Sequence, residues 1–426
     1  MHAKDLFDVS ASHGPTPPPS QRSSSARRDE GAAQPHFHSS NDGADVSPLF
    51  QVDVYHHPDH LPEDARRLLE QAESRNNEFG MSWYRNLVDT VYPQHAGVRF
   101  YTLRRGRQPI AVLPLRVDPG RIGRRVASLS NFYTTLYEPA FDPALTQHGL
   151  CLLLQRLERD IGGFSTLTLA PMDSAAPAYR TLLGALRLAK LYPREYFAFG
   201  NWYFPVAGGW TDYLKTRTGA VRSTLKRMGK KFAAAGGTLE IVQDGERLEA
   251  AIAAYNSVYH ASWKQAEPFP AFMPGLIQSC AANGSLRLGL AWLDGKAVAA
   301  QLWIVGAGRA AIYKVAYHED FKEYSPGSLV TALLMEHALD VDQVAEVDYL
   351  IGDDAYKSKW MSQRRERSGI VAYNPRSLGG LAGLAHHSLG KLVKELRRRY
   401  RARAGAAAQA TPATAPAAPA SSASDV

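Results

Sequence analysis

The sequence predicts an α/β (α+β) protein made of two tandem units, each a mostly antiparallel mixed sheet flanked by helices. The first observation behind this prediction is an order of elements, namely helix, hairpin, strand, turn, helix and strand, that occurs twice along the chain. The second is size, because 426 residues of which 45% are apolar can bury one large core or two ordinary ones. We expect the units to span 49–205 and 206–402, between disordered tails over 1–48 and 403–426.

The hairpins are the clearest repeated elements. "VRFYTLRRGRQPIAVLPLRV" predicts a hairpin that turns at Gly106, and "LRLGLAWLDGKAVAAQLWIV" predicts another that turns at Gly295. A helix is expected before each hairpin, in "PEDARRLLEQAESRNN" and in "DGERLEAAIAAYNSVYHASW". Each hairpin is followed by a further strand, in "RVASLSNFYTT" and "RAAIYKVAYHE", then by a turn, a helix and a last strand-like run, in "FSTLTLAPMD" and "EVDYLIGDD". The boundary between the units is expected in "FPVAGGW".

The two tails are predicted from composition. The N-terminal tail is rich in Ser, Pro, Gly and charge, and the C-terminal tail is rich in Ala and Pro. Neither segment can bury enough apolar area to offset the entropy lost on ordering. The chain also shows neither a secretory signal nor a run of ~20 apolar residues able to span a bilayer, so we expect a soluble cytoplasmic protein.

Charge and cysteine usage narrow the function classes. The net charge is +8 and the pI is about 9.3, which favours a negatively charged partner and leaves a phosphate-bearing cofactor, a nucleic acid and an anionic membrane open. Cys151 and Cys280 match neither a disulfide framework nor a zinc-ligand spacing, so both are expected to be buried packing residues.

Two basic helices are predicted in the second unit. Arg222, Lys226 and Lys230 repeat every four residues on a helix that should end at Gly236. This face is either a phosphate-binding edge or a solvated helix face. The helix "KLVKELRRRYRARA" over 391–404 either meets anionic lipid or nucleic acid or packs back on the domain through its leucines.

The stretch "YKVAYHEDFKEYSPGSLVTALLMEHAL" predicts a strand that breaks at Ser-Pro-Gly and continues as a helix. Unpaired N–H groups and the positive end of the helix dipole collect at such a start, which makes it a candidate seat for an anionic ligand. Ser325 can cap the helix, and Pro326 fits the first turn because it needs no donor there, although it offers no N–H to a ligand. Gly327 leaves room for close approach, and Leu329 anchors the helix on the core.

The strand before that break carries polar residues. Simple alternation puts Tyr313 and Tyr317 on one face and Lys314 on the other. A lysine in an otherwise apolar strand indicates a buried partner, a ligand or an edge position.

The second half resembles the GNAT acyltransferase fold. The segments "RSTLKRMGKKF", "YHASW", "LDGKAVAAQLWIV", "YKVAYHEDFKEYSPGSLV" and "DYLIGDDAYKSKW" are similar to the CelD/BcsL group of GNAT-family acetyltransferases, which is linked by name to cellulose and exopolysaccharide biosynthesis. The similarity runs from Tyr213 to Trp360, and the first half resembles the degenerate partner unit of that group. The paired architecture is also similar to the FemABX transferases. The usual GNAT turn R/Q-x-x-G-x-G/A is not present, which keeps a donor other than acetyl-CoA open.

This resemblance implies an acyltransferase that uses acetyl-CoA or another acyl-CoA as co-substrate, without a metal. The implied donor-binding residues are Lys314, Tyr317, Ser325, Pro326, Gly327, Ser328 and Leu329. The implied acceptor is a small molecule or a sugar with an amine or hydroxyl group.

Acyl transfer requires a base, an oxyanion donor and an acid for the leaving thiolate. Asp353 is the first candidate base or substrate anchor and Asp354 the second, although an Asp after Gly is also a common turn residue. Tyr356 is a candidate acid, and His260 is either a proton acceptor or a hydrogen-bonded structural histidine. The candidate substrate-binding residues are Trp263 and Lys357.

Two rival functions stay open. One is a FemABX-type enzyme that uses aminoacyl-tRNA, the only nucleic acid expected as a partner. The other is a non-catalytic GNAT-fold module that attaches to a polysaccharide-synthesis complex or to a membrane surface, so peripheral membrane contact stays open. Acceptor identity, acyl chain length and oligomeric state are not specified by the sequence.

Overall fold

The computed structural model describes residues 49–92, 94 and 97–387. The predicted tails over 1–48 and 403–426 and the basic helix predicted over 391–404 lie outside these residues. The division into units at 205/206 stays a prediction.

One continuous sheet holds thirteen strands among the described residues. The strands are β1 (Phe50–Tyr55), β2 (Val98–Arg105), β3 (Gln108–Asp118), β4 (Arg125–Ser128), β5 (Ala140–Phe141), β6 (Thr166–Met172), β7 (Tyr192–Pro205), β8 (Thr238–Val242), β9 (Leu286–Leu293), β10 (Lys296–Gly306), β11 (Arg309–Tyr317), β12 (Glu346–Ile351) and β13 (Gln363–Tyr373). Their spatial order is β1-β2-β3-β4-β6-β13-β7-β12-β11-β10-β9-β8, with β5 paired to β3. Only the pairs β4–β6 and β11–β12 of this sheet are parallel. The predicted class, a mostly antiparallel mixed sheet with helices, is confirmed.

The helices cover both faces of this sheet. They are α1 (Glu63–Glu73), α2 (Met81–Val91), α3 (Gln147–Asp160), α4 (Pro177–Leu188), α5 (Trp210–Thr216), α6 (Gly219–Ala234), α7 (Leu248–His260), α8 (Phe272–Ala282) and α9 (Pro326–Glu336). A further helical segment covers 378–387. The basic helix α6 ends just before Gly236, which has a φ of +82°, as predicted.

Both predicted hairpins are present. In β2–β3 the turn contains Gly106 with a φ of +58°, and in β9–β10 it contains Asp294 and Gly295 with φ of +51° and +73°. Two successive positive φ values give the tight turn whose twist matches that of the flanking strands. The strand predicted in "RVASLSNFYTT" is shorter than expected and covers only Arg125–Ser128.

Helices α2 and α8 and strands β7 and β13 are among the elements that the pattern did not predict. Helices α2 and α8 each lie between the predicted helix and the hairpin of one half, and Trp83 of α2 packs edge-on against Phe272 of α8 at 5.5 Å between ring centroids. Strands β7 and β13 pair antiparallel from Gln363↔Tyr203 to Tyr373↔Tyr192 at the centre of the sheet. The two halves therefore share a hydrophobic core and an unbroken sheet.

The cysteines are buried and free, as expected for packing residues. Cys151 belongs to α3 and Cys280 to α8, and each is buried in a hydrophobic core.

A buried ionic network lies where β7, β12 and β13 meet. Asp348 of β12 is 1% exposed, and its Oδ1 accepts hydrogen bonds from Asn201 Nδ2 at 2.6 Å and from the main-chain N–H of Leu350 at 2.7 Å. Its Oδ2 accepts from Arg365 at 2.6 Å and lies 3.3 Å from Arg309. Burial raises the pKa of Asp348, but the two guanidinium groups and Asn201 outweigh burial and hold it below its ordinary value.

This network coincides with a bend in β12. Leu350, whose N–H is bonded to Asp348, has a φ of +53°, and the pairing of β12 with β7 shifts register between Asp348 and Ile351. Strand β11 pairs with β12 over only three residues, ending at Ala311↔Asp348. Beyond this point the two parallel strands separate.

The network predicts a stability cost for Asp348→Ala. The substitution leaves Arg309 and Arg365, which are largely buried, without their shared carboxylate, and removing one partner of a buried ion pair is strongly destabilising. We expect the free energy of unfolding, measured by urea denaturation, to fall by about 3 kcal/mol. The matched control is Asp320→Ala, whose side chain is 84% exposed and which should change stability by less than about 0.5 kcal/mol. Equal losses in the two variants would contradict this assignment.

Candidate active site

A cleft opens where β11 and β12 separate. Its cavity has a volume of about 800 Å³. It is lined by β11, by β12 with the segment that follows, by the start of α9, by the loop between α7 and α8, and by the loop between β4 and β5. Both halves of the chain therefore contribute to one cavity.

The start of α9 faces this cleft through residues 325–328, which we call the donor seat. Pro326 is the first helical residue, as predicted, but Ser325 makes no side-chain capping bond, so the prediction that it caps the helix is wrong. The reason is the left-handed backbone of Ser325, with φ of +51°, because a capping side chain needs an extended backbone.

Few main-chain N–H groups at the donor seat are free to bind a ligand. The N–H groups of Ser328 and Leu329 both bond to the carbonyl of Ser325, at 3.0 and 3.3 Å. Within the described residues the N–H of Gly327 has no hydrogen-bond partner, and Pro326 has no N–H. Leu329 is buried in the core below α9 and does not line the cleft, whereas a side chain at Gly327 would lie 3.4 Å from the ring of Tyr317.

A buried glutamine fixes the donor seat to the sheet. Gln301 of β10 is fully buried, and its Nε2 donates to the carbonyl of Gly327 and to Thr331 Oγ1, both at 2.7 Å. Trp303 Nε1 in turn donates to Gln301 Oε1 at 3.0 Å. The sequence signal for this role is a single glutamine in the apolar strand "AVAAQLWIV", which the sequence analysis did not use.

The prediction that Tyr313 and Tyr317 share one face of β11, with Lys314 on the other, is wrong. Against β10 the register shifts so that Tyr313 is an extra, unpaired residue, a β-bulge that breaks the alternation of side chains. Tyr313 donates to the carbonyl of Tyr133 at 2.7 Å, and Lys314 lies over the ring of the same Tyr133 at 5.1 Å. Tyr317 instead packs on Trp263, with 4.7 Å between ring centroids.

Lys314 has a buried partner in the loop between α7 and α8. Its Nζ donates to Glu267 Oε1 at 3.0 Å, and Tyr133 OH donates to Glu267 Oε2 at 2.7 Å. Burial raises the pKa of Glu267, but Lys314 and the tyrosine hydrogen bonds outweigh burial, and the net shift is downward. Glu267 is therefore held in its charged form by its partners and is a weaker base than an ordinary glutamate.

The same loop brings a second lysine to the cleft. Lys264 Nζ lies 5.5 Å from the ring centroid of Tyr259 and 5.8 Å from that of Trp263. Burial and the positive charge of Lys314 lower the pKa of Lys264 to about 8. Trp263, predicted to bind substrate, lines the cleft and is 55% exposed.

The two predicted acids lie in different environments. Asp354 lines the cleft and its side chain is 74% exposed. Asp353 is not among the lining residues, because both of its oxygens bind Arg364 of β13 at 2.6 Å. These hydrogen bonds hold the pKa of Asp353 below its ordinary value, which makes it a weaker base.

Tyr356 and Lys357 line the cleft as well. Tyr356 is 40% exposed, so its hydroxyl is accessible to a ligand. Lys357 is buried, and its Nζ donates to the carbonyls of Tyr349 and Ile351 and lies 3.8 Å from Asp354. Burial lowers the pKa of Lys357.

His260 is not brought to the cleft. It lies exposed at the end of α7, and its Nδ1 is 2.7 Å from the carbonyl of Asn256 in its own helix. This is the hydrogen-bonded structural arrangement considered as the alternative.

The loop between β4 and β5 is held by a buried carboxylate that the sequence analysis missed. Glu78 accepts hydrogen bonds of 2.8 Å from Thr135 N, Thr135 Oγ1 and Leu136 N. This fixes the wall of the cleft that contains Phe132, Tyr133 and Thr135. Glu78 stands in the polar segment "SRNNEFG", where nothing marks it as buried. Burial raises its pKa to about 7 despite the three donors.

The described residues contain neither a metal-binding cluster nor a membrane-spanning helix. No group of three or more His, Cys, Asp and Glu side chains there is arranged to hold a metal ion. No helix in that part of the chain combines the length and apolarity needed to cross a membrane.

Comparisons with known proteins agree with this geometry. Residues 219–358 match the family model of the acetyltransferase (GNAT) domain. Among solved structures, the chain is similar to FemX, with 11% identity, 75% of this chain and 97% of that chain covered, and a TM-score of 0.54. It also matches a tandem GNAT protein from the clavulanic acid biosynthesis pathway, with 12% identity, 76% and 99% coverage and a TM-score of 0.41, and L-PGS from Bacillus licheniformis, with 12% identity, 66% and 86% coverage and a TM-score of 0.43. No curated protein matches the chain. At 11% identity the match to FemX shows the fold alone.

The raised pKa of Glu78 predicts a pH-dependent stability. Because its folded pKa of about 7 exceeds the ordinary 4.5, its contribution is fully present below pH 4.5 and is lost as the pH rises through 7. Between these limits the unfolding free energy of the wild type should fall by roughly 3 kcal/mol relative to that of Glu78→Gln. Urea denaturation across this pH range measures the difference, with the exposed Glu63→Gln as control. A constant difference between wild type and Glu78→Gln at all pH values would refute the assignment.

Proposed function

We propose that the protein is an acyltransferase that moves an acetyl or another acyl group from acyl-CoA to an amine or hydroxyl acceptor held in the cleft. The observation that carries the proposal is the free N–H of Gly327 at the start of α9, which faces a cleft formed by separating parallel strands within the region that matches the acetyltransferase (GNAT) domain.

The donor seat suits the charged end of a phosphate-bearing substrate. The positive end of the α9 dipole and the Gly327 N–H favour an anion there. The hydroxyls of Ser325 and Ser328 make no side-chain hydrogen bond within the described residues, and the exposed Lys322 lines the same end of the cleft. With Pro326 lacking an N–H, these hydroxyls and Lys322 supply the further contacts that a pyrophosphate needs.

The remaining cleft residues suit acyl transfer. The acceptor amine or hydroxyl attacks the thioester carbonyl, an N–C or O–C bond forms, and the C–S bond breaks. The acceptor loses its proton to solvent, and the leaving thiolate takes a proton from an acid in the cleft. We assign this proton donation to Tyr356, whose hydroxyl is accessible in the cleft, and the anchoring of the acceptor to Asp354. Asp353 receives no role in the reaction, because its carboxylate is paired with Arg364. Lys357, bonded to main-chain carbonyls, holds the segment after β12 in place.

The acceptor class is the finer part of the proposal. We infer a sugar or sugar-nucleotide acceptor in polysaccharide or cell-envelope biosynthesis, and this rests on the sequence resemblance described above. The aminoacyl-tRNA and non-catalytic alternatives are distinguished by the experiments below.

The first prediction concerns donor binding. Ser328 is the third residue of α9, a position where an acidic side chain favours the helix, so Ser328→Asp should fold while placing a negative charge at the donor seat. In thermal-shift assays the wild type should be stabilised by acetyl-CoA, by roughly 2.7 kcal/mol at a hundred times its Kd, and Ser328→Asp should lose this effect. The neutral Ser328→Asn is the matched control and should keep most of it.

The same assay separates the alternatives. Salt-sensitive stabilisation by tRNA, without any response to acetyl-CoA, longer acyl-CoAs or free CoA, would favour the hypothesis that the enzyme uses aminoacyl-tRNA. Stabilisation by acetyl-CoA without turnover of any acceptor would favour the non-catalytic module. No shift with any CoA species would overturn the proposal.

The second prediction concerns the neighbouring acids. With a panel of amino sugars and amines as acceptors, Asp354→Asn should lower CoA thiol release by up to about 10²-fold, because it removes the charged hydrogen-bond partner assigned to the acceptor. Asp353→Asn, one residue away and outside the lining, should stay within a few-fold of the wild type. The reverse ranking would show that the acid assignment is wrong.

A further inference from the structure

Four lysines line the cleft, and their surroundings differ. Lys314 is paired with Glu267 at 3.0 Å. Lys357 is buried and donates to two main-chain carbonyls. Among the described residues, neither Lys264 nor Lys322 has a carboxylate within salt-bridge distance or a hydrogen-bond acceptor for its ammonium group, and of these two only Lys264 is partly buried.

The loop that carries Lys264 reaches the donor seat through a chain of contacts. Its neighbour Trp263 packs on Tyr317, with 4.7 Å between ring centroids. The Tyr317 ring in turn lies 3.4 Å from the position of a Cβ at Gly327. The loop that carries Lys264 therefore lies against the end of the cleft where the donor seat is located.

The charges around Lys264 disfavour its protonated form. Lys314 on β11 and Lys357 after β12 repel its ammonium group, and Glu267 of its own loop attracts it but is shared with Lys314. Tyr259 of α7 offers its ring face, and Tyr133 of the loop between β4 and β5 is bonded to Glu267. Burial is the largest cause of a pKa of about 8 for Lys264 against the ordinary 10.5. At pH 7 its neutral amine is therefore on the order of 10²-fold more abundant than that of an ordinary lysine.

We propose that Lys264 is a self-acylation site, whose amine takes the acyl group of an acyl-CoA bound in the same cleft. This inference rests on the proposed function, because it needs the thioester at the donor seat. The nitrogen attacks the thioester carbonyl, the N–C bond forms, the C–S bond breaks, and the departing CoA thiolate takes the proton that the nitrogen loses. The product is a neutral N-acyl-lysine and free CoA, so the step needs no oxidant or reductant.

Acylation changes the cleft in two ways. It removes the positive charge of Lys264 and adds an amide between Trp263 and the Glu267–Lys314 pair. Both changes alter the cleft wall at Trp263, whose ring packs on Tyr317 beside the donor seat, so the acylated protein should turn over acceptors more slowly.

The test uses the purified full chain and saturating acetyl-CoA, followed by intact mass spectrometry and peptide mapping over time. We expect one acetyl group to appear first on Lys264, at a rate that rises with pH and levels off above about pH 8. Lys264→Arg should abolish this modification. Lys359→Arg, which changes an exposed lysine that does not line the cavity, is the matched control and should leave it unchanged.

Two measurements separate failure of this inference from failure of the proposed function. A thermal shift with acetyl-CoA but no acetyl group on Lys264, or equal labelling of Lys322 and other exposed lysines, overturns the self-acylation site alone. The absence of any thermal shift overturns the proposed function and the inference with it. Sulfo-N-hydroxysuccinimidyl acetate, which acylates amines without a donor seat, provides the independent readout, since Lys264 should react before Lys322 at neutral pH.

Discussion

One buried carboxylate, that of Asp348, sets the geometry on which the cleft depends. It accepts a hydrogen bond from the N–H of Leu350, two residues along its own strand, and this contact bends β12 away from β11. Because Asp348 is shielded from solvent, its charge is balanced by Arg309 and Arg365. The separation of these strands opens the cavity, and main-chain carbonyls just beyond the bend accept the ammonium group of Lys357. An interaction in the middle of the sheet thus positions residues that line the opening of the cleft.

The cleft is a product of both halves of the chain. The loop between β4 and β5 is held by Glu78 from the first half, and its Tyr133 meets Tyr313, Lys314 and Glu267 from the second. Because these contacts are buried and directional, a shift of the loop would be felt at the ion pair and at the β-bulge. The first half is therefore part of the site.

Local sequence features predicted the parts of the fold that are decided locally. The turn at Gly295 and the helix start at Pro326 follow from backbone preferences that neighbouring residues cannot override. The bulge at Tyr313 was not predictable by alternation, because an extra residue in a strand is set by the register of its partner. Asp353 was proposed as a base from its place at the end of a predicted strand, and its pairing with Arg364 was missed because Arg364 lies on a strand that the pattern did not indicate. Side chains whose roles depend on distant partners were those that sequence reasoning missed or misplaced.

The placement of β13 bears on how this chain is made. This strand, the last described one, lies between β6 and β7, so that Gln363–Tyr373 completes the centre of the sheet and not its rim. While the nascent chain is still on the ribosome, β6 and β7 present open edges with unsatisfied N–H and C=O groups, a hazard for pairing with other chains. Those edges can close only after residue 373 has emerged, almost at the end of the described chain. Until then the open strand edges are the part of the nascent chain that most needs protection by a chaperone.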